Sequence, residues 1–367
     1  MGTLHRAARA ATAAFCLAVG ASGCVATSHP PVLAPPRPVE SLILHELDKS
    51  PNESEAPNSP GSELETSAVT DAPGVPAALV EGPAIQASRA CELPLTIDRE
   101  SPRKSKIATL TFDDGPRLGA TGQILDKLAA HHWSGTFFVV GKAINRRTYR
   151  LIQRMVAEGH EVGLHSYNHD VEMATFGTPA VSREYILGEH VVTRALVDLS
   201  MVATSEEDFD ALFERVLEKK PFTFLSDAAL VTEHEAVERR AREVLAERGF
   251  TDHAAQIRFS RPPGGGPFLS AHHGAARGLY EGVLEGLGYT NVLWHGASGD
   301  TVDGHFHDVP YLAGNTLAAG RHGGIVLLHD SIDQRALSAA FEGLAAENVT
   351  VLGLSDWIET SLCHASE

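Results

Sequence analysis

The stretch IATLTFDDGPRLGATGQILDKLAAHHWSGTFFVV, residues 107–140, decides the fold class. IATLTF (107–112) is an apolar run with strand character, and DDGP ends it in a turn. TGQILDKLAAHH (121–132) carries helical spacing, and TFFVV (136–140) is a second strand. Strand, helix and strand in so short a span predict a parallel βαβ unit. The alternation continues toward the C-terminus. A helix is expected over 146–159, stopped by Gly159, then the strand HEVGLH (160–165). Further along come the strand QIRFS (256–260), a helix over 278–288, and the strands NVLW (291–294) and IVLLH (325–329). A helix over 334–347 and the strand VTVLGL (349–354) close the series. Such a pattern is α/β, an open parallel sheet or a barrel. No internal repeat is present.

Bulk properties set the limits. The chain has 367 residues, 43% of them hydrophobic, which is enough for one large core. Its formal net charge of −17 argues against nucleic acid or an anionic membrane surface as partner, because both attract basic patches. His5, Arg6 and Arg9 precede the short apolar run ATAAFCLAVG (11–20), which is too short to span a bilayer and fits a secretory signal. The ASGC ending resembles a bacterial lipoprotein signal with Cys24 as the lipidated residue. The expectation is therefore residues 1–24 as signal and a protein exported to the cell envelope, touching membrane only through that anchor. Residues 25–103, with HPPVLAPPRP (29–38) and SPNESEAPNSPGSE (50–63), are rich in Pro, Ser and Glu and read as a disordered tether. From Lys104 to Cys363 the composition is that of a folded domain. Within it, Phe209, Leu212, Phe213, Val216 and Leu217, then Val237, Ala241, Val244 and Leu245, repeat at helical spacing, so 182–250 is expected to be a helical insertion with a packing role. Cys91 and Cys363 flank the domain, and an exported compartment permits a bridge between them.

Three short strings carry chemistry, each just after a strand. TFDDGP (111–116) supplies two adjacent carboxylates, HSYNH (165–169) two imidazoles four residues apart, and LLHD (327–330) one more. In α/β barrels the ends of strands are where active sites assemble. Two His and one carboxylate make a three-ligand metal site with an open position, the arrangement that activates water. The remaining carboxylate and imidazole would be base and acid. Two adjacent carboxylates raise one another's pKa unless cations compensate. A metal on one and an Arg on the other would do so, and RPPGGG (261–266), after the strand QIRFS, supplies Arg261.

TFDDGP, HSYNH, RPPGG and LLHD, in that order, resemble the successive motifs of the polysaccharide deacetylase family, also called the NodB-homology or carbohydrate esterase family four domain. The resemblance covers about residues 104–363. It implies a distorted (β/α) barrel and a divalent-metal hydrolase that removes acetyl groups from N-acetylated amino sugars, a linear-amide hydrolysis. By the same resemblance Asp113 is the general base, and Asp114, His165 and His169 are the metal ligands. Ser166 supports the ligand loop, Arg261 orients Asp113, and His329 is the general acid. Pro263, Gly264 and Leu327 would line the substrate site, a backbone N–H of the 263–265 loop meeting the oxyanion. Asp300 would tune His329. One divalent ion is implied, Zn²⁺ by its ligand set, with Co²⁺, Ni²⁺ or Mn²⁺ able to occupy the same donors. The partner would be an acetylated polysaccharide such as peptidoglycan or a chitin-like glycan, and the protein a monomer.

The match has departures. Gly264 stands where the family carries an aromatic residue, so a wall of the site is missing. In LWHGASGDTVD (293–303), Ala297 and Thr301 replace an Asp and a Trp of the family pattern. Trp294 is read as a packed strand-end aromatic, and the pair Asp356-Trp357 as coincidental. Two alternatives follow: an O-acetyl esterase of the xylan type, and a catalytically weak surface protein that binds glycan.

Overall fold

In the computed structural model, residues 93–218, 227–269 and 274–363 are described. The expected signal, lipid-anchor cysteine and most of the expected tether lie outside them. Among the described residues nine strands form one sheet in which every pairing is parallel. The strands are β1 (Thr96–Ile97), β2 (Ile107–Asp113), β3 (Gly135–Val139), β4 (Glu161–Leu164), β5 (Phe259–Ser260), β6 (Thr290–Val292), β7 (Gly296–Ala297), β8 (Gly324–His329) and β9 (Thr350–Val351). Their order is β1-β6-β5-β4-β3-β2-β8-β7, with β9 on the lower end of β2 before the β3 pairing starts. The end strands β1 and β7 do not pair with each other, so the barrel is incomplete, as a distorted (β/α) barrel requires.

The helices are α1 (Ala120–Ala130), α2 (Tyr149–Ala157), α3 (Pro179–Val202), α4 (Glu206–Leu217), α5 (Asp227–Glu247), α6 (Gly274–Leu287), α7 (Val309–His322), α8 (Gln334–Ala346) and α9 (Leu354–Ile358), the last packing with the interior cluster. No helix of the described residues is long and apolar enough to cross a membrane.

Strand alternation sorts the side chains. Ala108, Leu110, Phe112, Phe137, Val139, Val326 and Leu328 point outward and pack with helices in the larger core. Phe138, Phe259, Val292 and Ile325 point inward and form a second cluster with Ile97, Leu354 and Trp357. The same period places Thr111, Asp113, Leu327 and His329 on the inside, at the carboxyl ends of two paired strands. Trp357 is fully buried in the interior cluster, and its indole N–H donates to the Ile107 carbonyl at the start of β2 (3.2 Å). It therefore plugs the end opposite Asp113.

Several elements differ from the sequence expectation. β1 lies within the stretch read as tether, and Ile97 is wholly buried. The strand expected over 256–260 shrinks to two residues. The amides of Ala254 and Ala255 are taken by the Asp198 carboxylate of α3 (2.9 and 3.4 Å), not by a neighbouring strand. β9 also has only two residues, because Gly353 starts α9. Helix α7 was missed: its contacts to α8 run through small residues, Gly320 against Leu344 and Leu317 against Gly343, and leave no large-residue stripe. Asp308 caps it by accepting the Tyr311 N–H (3.1 Å). The 182–250 stretch is the helices α3 to α5, and its apolar repeats belong to the larger core. Cys363 is disulfide-bonded; Cys91, its expected partner, lies outside the described residues.

Candidate active site

β2 ends on Asp113, and the turn that follows holds Asp114 at φ 76°. That left-handed backbone turns the two carboxylates apart. Asp113 stays inside, 2% exposed, where its Oδ1 accepts from Arg261 Nη1 at 2.7 Å. Its Oδ2 lies 3.7 Å from His165 Nε2.

Arg261 is fully buried and saturated. Beyond Asp113 it donates to Thr111 Oγ1 (2.9 Å) and to the carbonyls of Val292 (2.8 Å) and Leu293 (3.1 Å). Its guanidinium stacks 4.1 Å from the Phe138 ring centroid. Burial lowers its pKa and the Asp113 charge opposes this, so an arginine remains a cation here. A buried cation held on five sides gives the buried carboxylate its counter-charge.

His165 follows β4 and is 1% exposed. Its Nδ1 donates to the Arg261 carbonyl at 2.8 Å, which leaves the Nε2 lone pair facing the carboxylates. Burial holds its pKa down to about 4, so the ring is neutral and able to ligate. His169 Nε2 is 3.0 Å from Asp114 Oδ1, and His165 Nε2 is 3.6 Å from it. Ser166 Oγ accepts the His169 N–H (2.9 Å) and closes the short loop. Burial raises the Asp114 carboxyl, but His169, His165 and His329 together hold it well below the usual carboxylate range.

Asp114, His165 and His169 each offer one ligand atom, all within 4.8 Å of one another. Asp114 Oδ1 is buried and receives no hydrogen bond of acceptable geometry. A buried carboxylate oxygen with two imidazole Nε2 atoms within 3.6 Å is a donor set suited to a divalent cation.

On the other side, His329 pairs in register with Asp113 across β8 and β2. Asp300 grips it twice, Oδ1 on Nδ1 and Oδ2 on the backbone N–H, both at 2.8 Å. Burial pushes the His329 pKa down, but Asp300, Asp113 and Asp114 outweigh it and carry it up to about 9. Leu327 is 6% exposed on β8. Pro263 is buried, while Gly264 is exposed at φ 59° with Val171 beside it. Trp294 is half-buried against the interior cluster, and Ala297 is exposed.

The structure thus brings Asp113, Asp114, His165, His169, Arg261, Asp300 and His329 into one place. Three residues went unnoticed in the sequence. Thr111 holds the Arg261 fork. Asp330, fully buried beside Gly115, accepts from Thr121 Oγ1, and burial pushes it up to about 7. Glu189 of α3, also fully buried, accepts from the backbone N–H groups of Tyr167 (2.8 Å) and Asn168 (2.7 Å) and from Asn168 Nδ2 (2.7 Å). Glu189 had a legible signal. It stands at the spacing of Tyr185, Val192 and Leu196, a charge on an otherwise apolar helix face.

Residues 100–196 match the family described as polysaccharide deacetylase. A peptidoglycan-N-acetylglucosamine deacetylase of Bacillus cereus is 43% identical over 70 residues, 19% of this chain and 32% of that protein. A chitooligosaccharide deacetylase of Sinorhizobium fredii is 39% identical over 92 residues, 25% of this chain and 42% of that protein. The chain therefore spans about a third of the first relative and about two fifths of the second. Among solved structures, a family 4 carbohydrate esterase from Streptomyces lividans in complex with acetate aligns with 67% of this chain and 91% of its own, at 19% identity and a TM-score of 0.42.

Proposed function

We propose that the chain is a divalent-metal hydrolase that removes acetyl groups from N-acetylated amino sugars of a glycan. The observation that carries this reading is the convergence of one ligand atom each from Asp114, His165 and His169, all within 4.8 Å of one another, between a charge-paired Asp113 and a charge-paired His329. Asp114, His165 and His169 would hold the ion, Zn²⁺ being the one this ligand set suits best. Bound there, it supplies Lewis-acid polarisation of the acetyl carbonyl and acidification of water.

The chain's own residues then do the proton work. Asp113 takes a proton from the attacking water, and Arg261, bonded to its other oxygen, keeps it aimed until then. The attacked carbonyl becomes a tetrahedral oxyanion. Gly265 and Gly266 donate within their own turn, to Pro262 and Pro263, so the Gly264 amide is the one we assign to that oxyanion. An amine leaves poorly as an anion. His329, with Nδ1 engaged by Asp300, presents Nε2–H and gives that proton to the departing nitrogen. The products are acetate and a free amino sugar. Leu327 and Pro263 would line the acetyl pocket. The relatives' substrates, peptidoglycan and chitooligosaccharides, both present N-acetylated sugars, and export through the N-terminal segment would bring this domain to the former.

Metal-loaded protein is tested on N-acetylglucosamine oligomers and acetylated xylan, with a chelator arm. Chelator-sensitive acetate release from the oligomers is expected, and Asp113→Asn is expected to abolish it while metal content stays intact. Release from xylan alone would move the reading to an O-acetyl esterase. Unchanged turnover in Asp113→Asn would refute the base assignment.

A further inference from the structure

The loop that carries both imidazoles does not hold its shape by backbone preference. Ser166 and His169 sit at φ 66° and 60°, in the left-handed region. That region is unfavourable for a residue other than glycine. Something outside the loop must therefore over-determine it. Part of the support comes from the strand β3 exit. The Gly141 N–H donates to the Ser166 carbonyl (2.9 Å), the Lys142 N–H to the Tyr167 carbonyl (3.1 Å), and Lys142 Nζ to the Asn168 carbonyl (2.7 Å). These bonds engage carbonyls only. The amides of Tyr167 and Asn168 point the other way, and both land on one oxygen of Glu189. Two successive N–H groups on one oxygen form an anion-binding concavity, here filled from within by a side chain. The second oxygen of Glu189 takes Asn168 Nδ2.

The helix that supplies Glu189 is itself tied to both halves of the site. Thr193 Oγ1 donates to the Glu189 carbonyl (2.7 Å), and His190 Nε2 meets Ser260 Oγ (2.8 Å), the residue before Arg261. A Cβ on Gly141 would stand 2.7 Å from both Thr193 Oγ1 and the Tyr167 ring. The loop and α3 therefore touch directly.

We propose that Glu189 is a positioning residue for the metal site: its carboxylate fixes residues 167 and 168, and so sets the spacing of His165 and His169. This assignment rests on the metal-site reading above. It also gives α3, read from sequence as packing, a part in the chemistry.

The test is Zn²⁺ titration of metal-free protein by calorimetry, with folding checked by circular dichroism. Glu189→Met fills the buried space and withdraws the acceptor, leaving two buried amides unpaired. It is expected to weaken Zn²⁺ binding by about 10- to 100-fold, the usual effect of losing a group that orients ligands. Glu189→Gln keeps one carbonyl oxygen for the two amides and is expected to recover most of that loss. A folded Glu189→Met protein that binds Zn²⁺ as the wild type does would overturn the proposal. Should that variant fail to fold, Asn168→Ala decides. It removes one bond at a partly exposed position; a severalfold weaker affinity supports the assignment and an unchanged one overturns it. Wild-type protein that takes up no ion overturns the site reading first, and this assignment with it.

Discussion

Asp300→Asn probes the acid. Asp300 is 5% exposed and bonds His329 through both carboxylate oxygens. Asn preserves its shape and one oxygen but withdraws the charge. The largest of the influences raising His329 is then gone, and its pKa falls from about 9 toward the ordinary imidazole value of 6.5, with Asp113 and Asp114 still opposing burial. At pH 8 a group of pKa 9 is about nine-tenths protonated, and one of pKa 6.5 only about 3%, so the competent fraction drops by up to about thirtyfold. The assay is kcat/KM against pH from about 6 to 10 on an N-acetylglucosamine oligomer. The alkaline limb is expected to move to lower pH, by up to about 2.5 units if the ordinary imidazole value is reached. A cation on Asp114 offsets the Asp114 contribution equally in both proteins, so the displacement between the two profiles is the quantity to read. The same linkage acts on stability. A histidine whose folded pKa is raised adds stability that is complete below about 6.5 and vanishes as pH rises through about 9. The variant should therefore be less stable than wild type by up to about 3 kcal/mol near pH 6, with the gap closing toward pH 9. A folded variant whose alkaline limb does not move would refute the acid assignment.

Arg261→Met leaves Asp113 buried without its cation; unfolding in urea should show a loss of about 3–5 kcal/mol, and a loss under 1 kcal/mol would contradict the ion-pair account. Asp330 is raised by burial, so its contribution is complete below the ordinary value of 3.8 and is lost as pH rises to about 7. Asp330→Asn should remove that slope, and parallel stability curves for the two proteins between pH 4 and 7 would refute it. Trp357→Ala should cost about 3–5 kcal/mol by emptying the interior plug while leaving Zn²⁺ affinity in the folded protein unchanged, because the ligands sit at the other end.

The fold was legible where strands were long and uniformly apolar. β2, β3 and β8 are covered on both faces, and their sequences read as near-continuous hydrophobic runs. Short strands were not legible. β1, β5 and β7 have two residues each, and their pairing is decided by neighbours distant in sequence. In the site, groups that follow strand ends stood out because the chemistry needs those residue types there. The groups that orient them did not. The Arg261 carbonyl on His165 is a backbone atom and leaves no mark in the sequence. Glu189 comes from a helix twenty residues after His169, and only the fold shows where it points.

The two-residue β1 has a practical implication for anyone preparing this domain. Leu95 and Ile97 accept the amides of Asn291 and Leu293 (2.9 and 2.7 Å), and the carbonyls of Val292 and Leu293 in turn hold Arg261. Trimming the gene at the compositional break near Lys104 would cut away that edge and slacken the segment cradling the guanidinium. A cloning choice made for solubility would then register at the bench as a chemical defect, so expression boundaries belong upstream of residue 93.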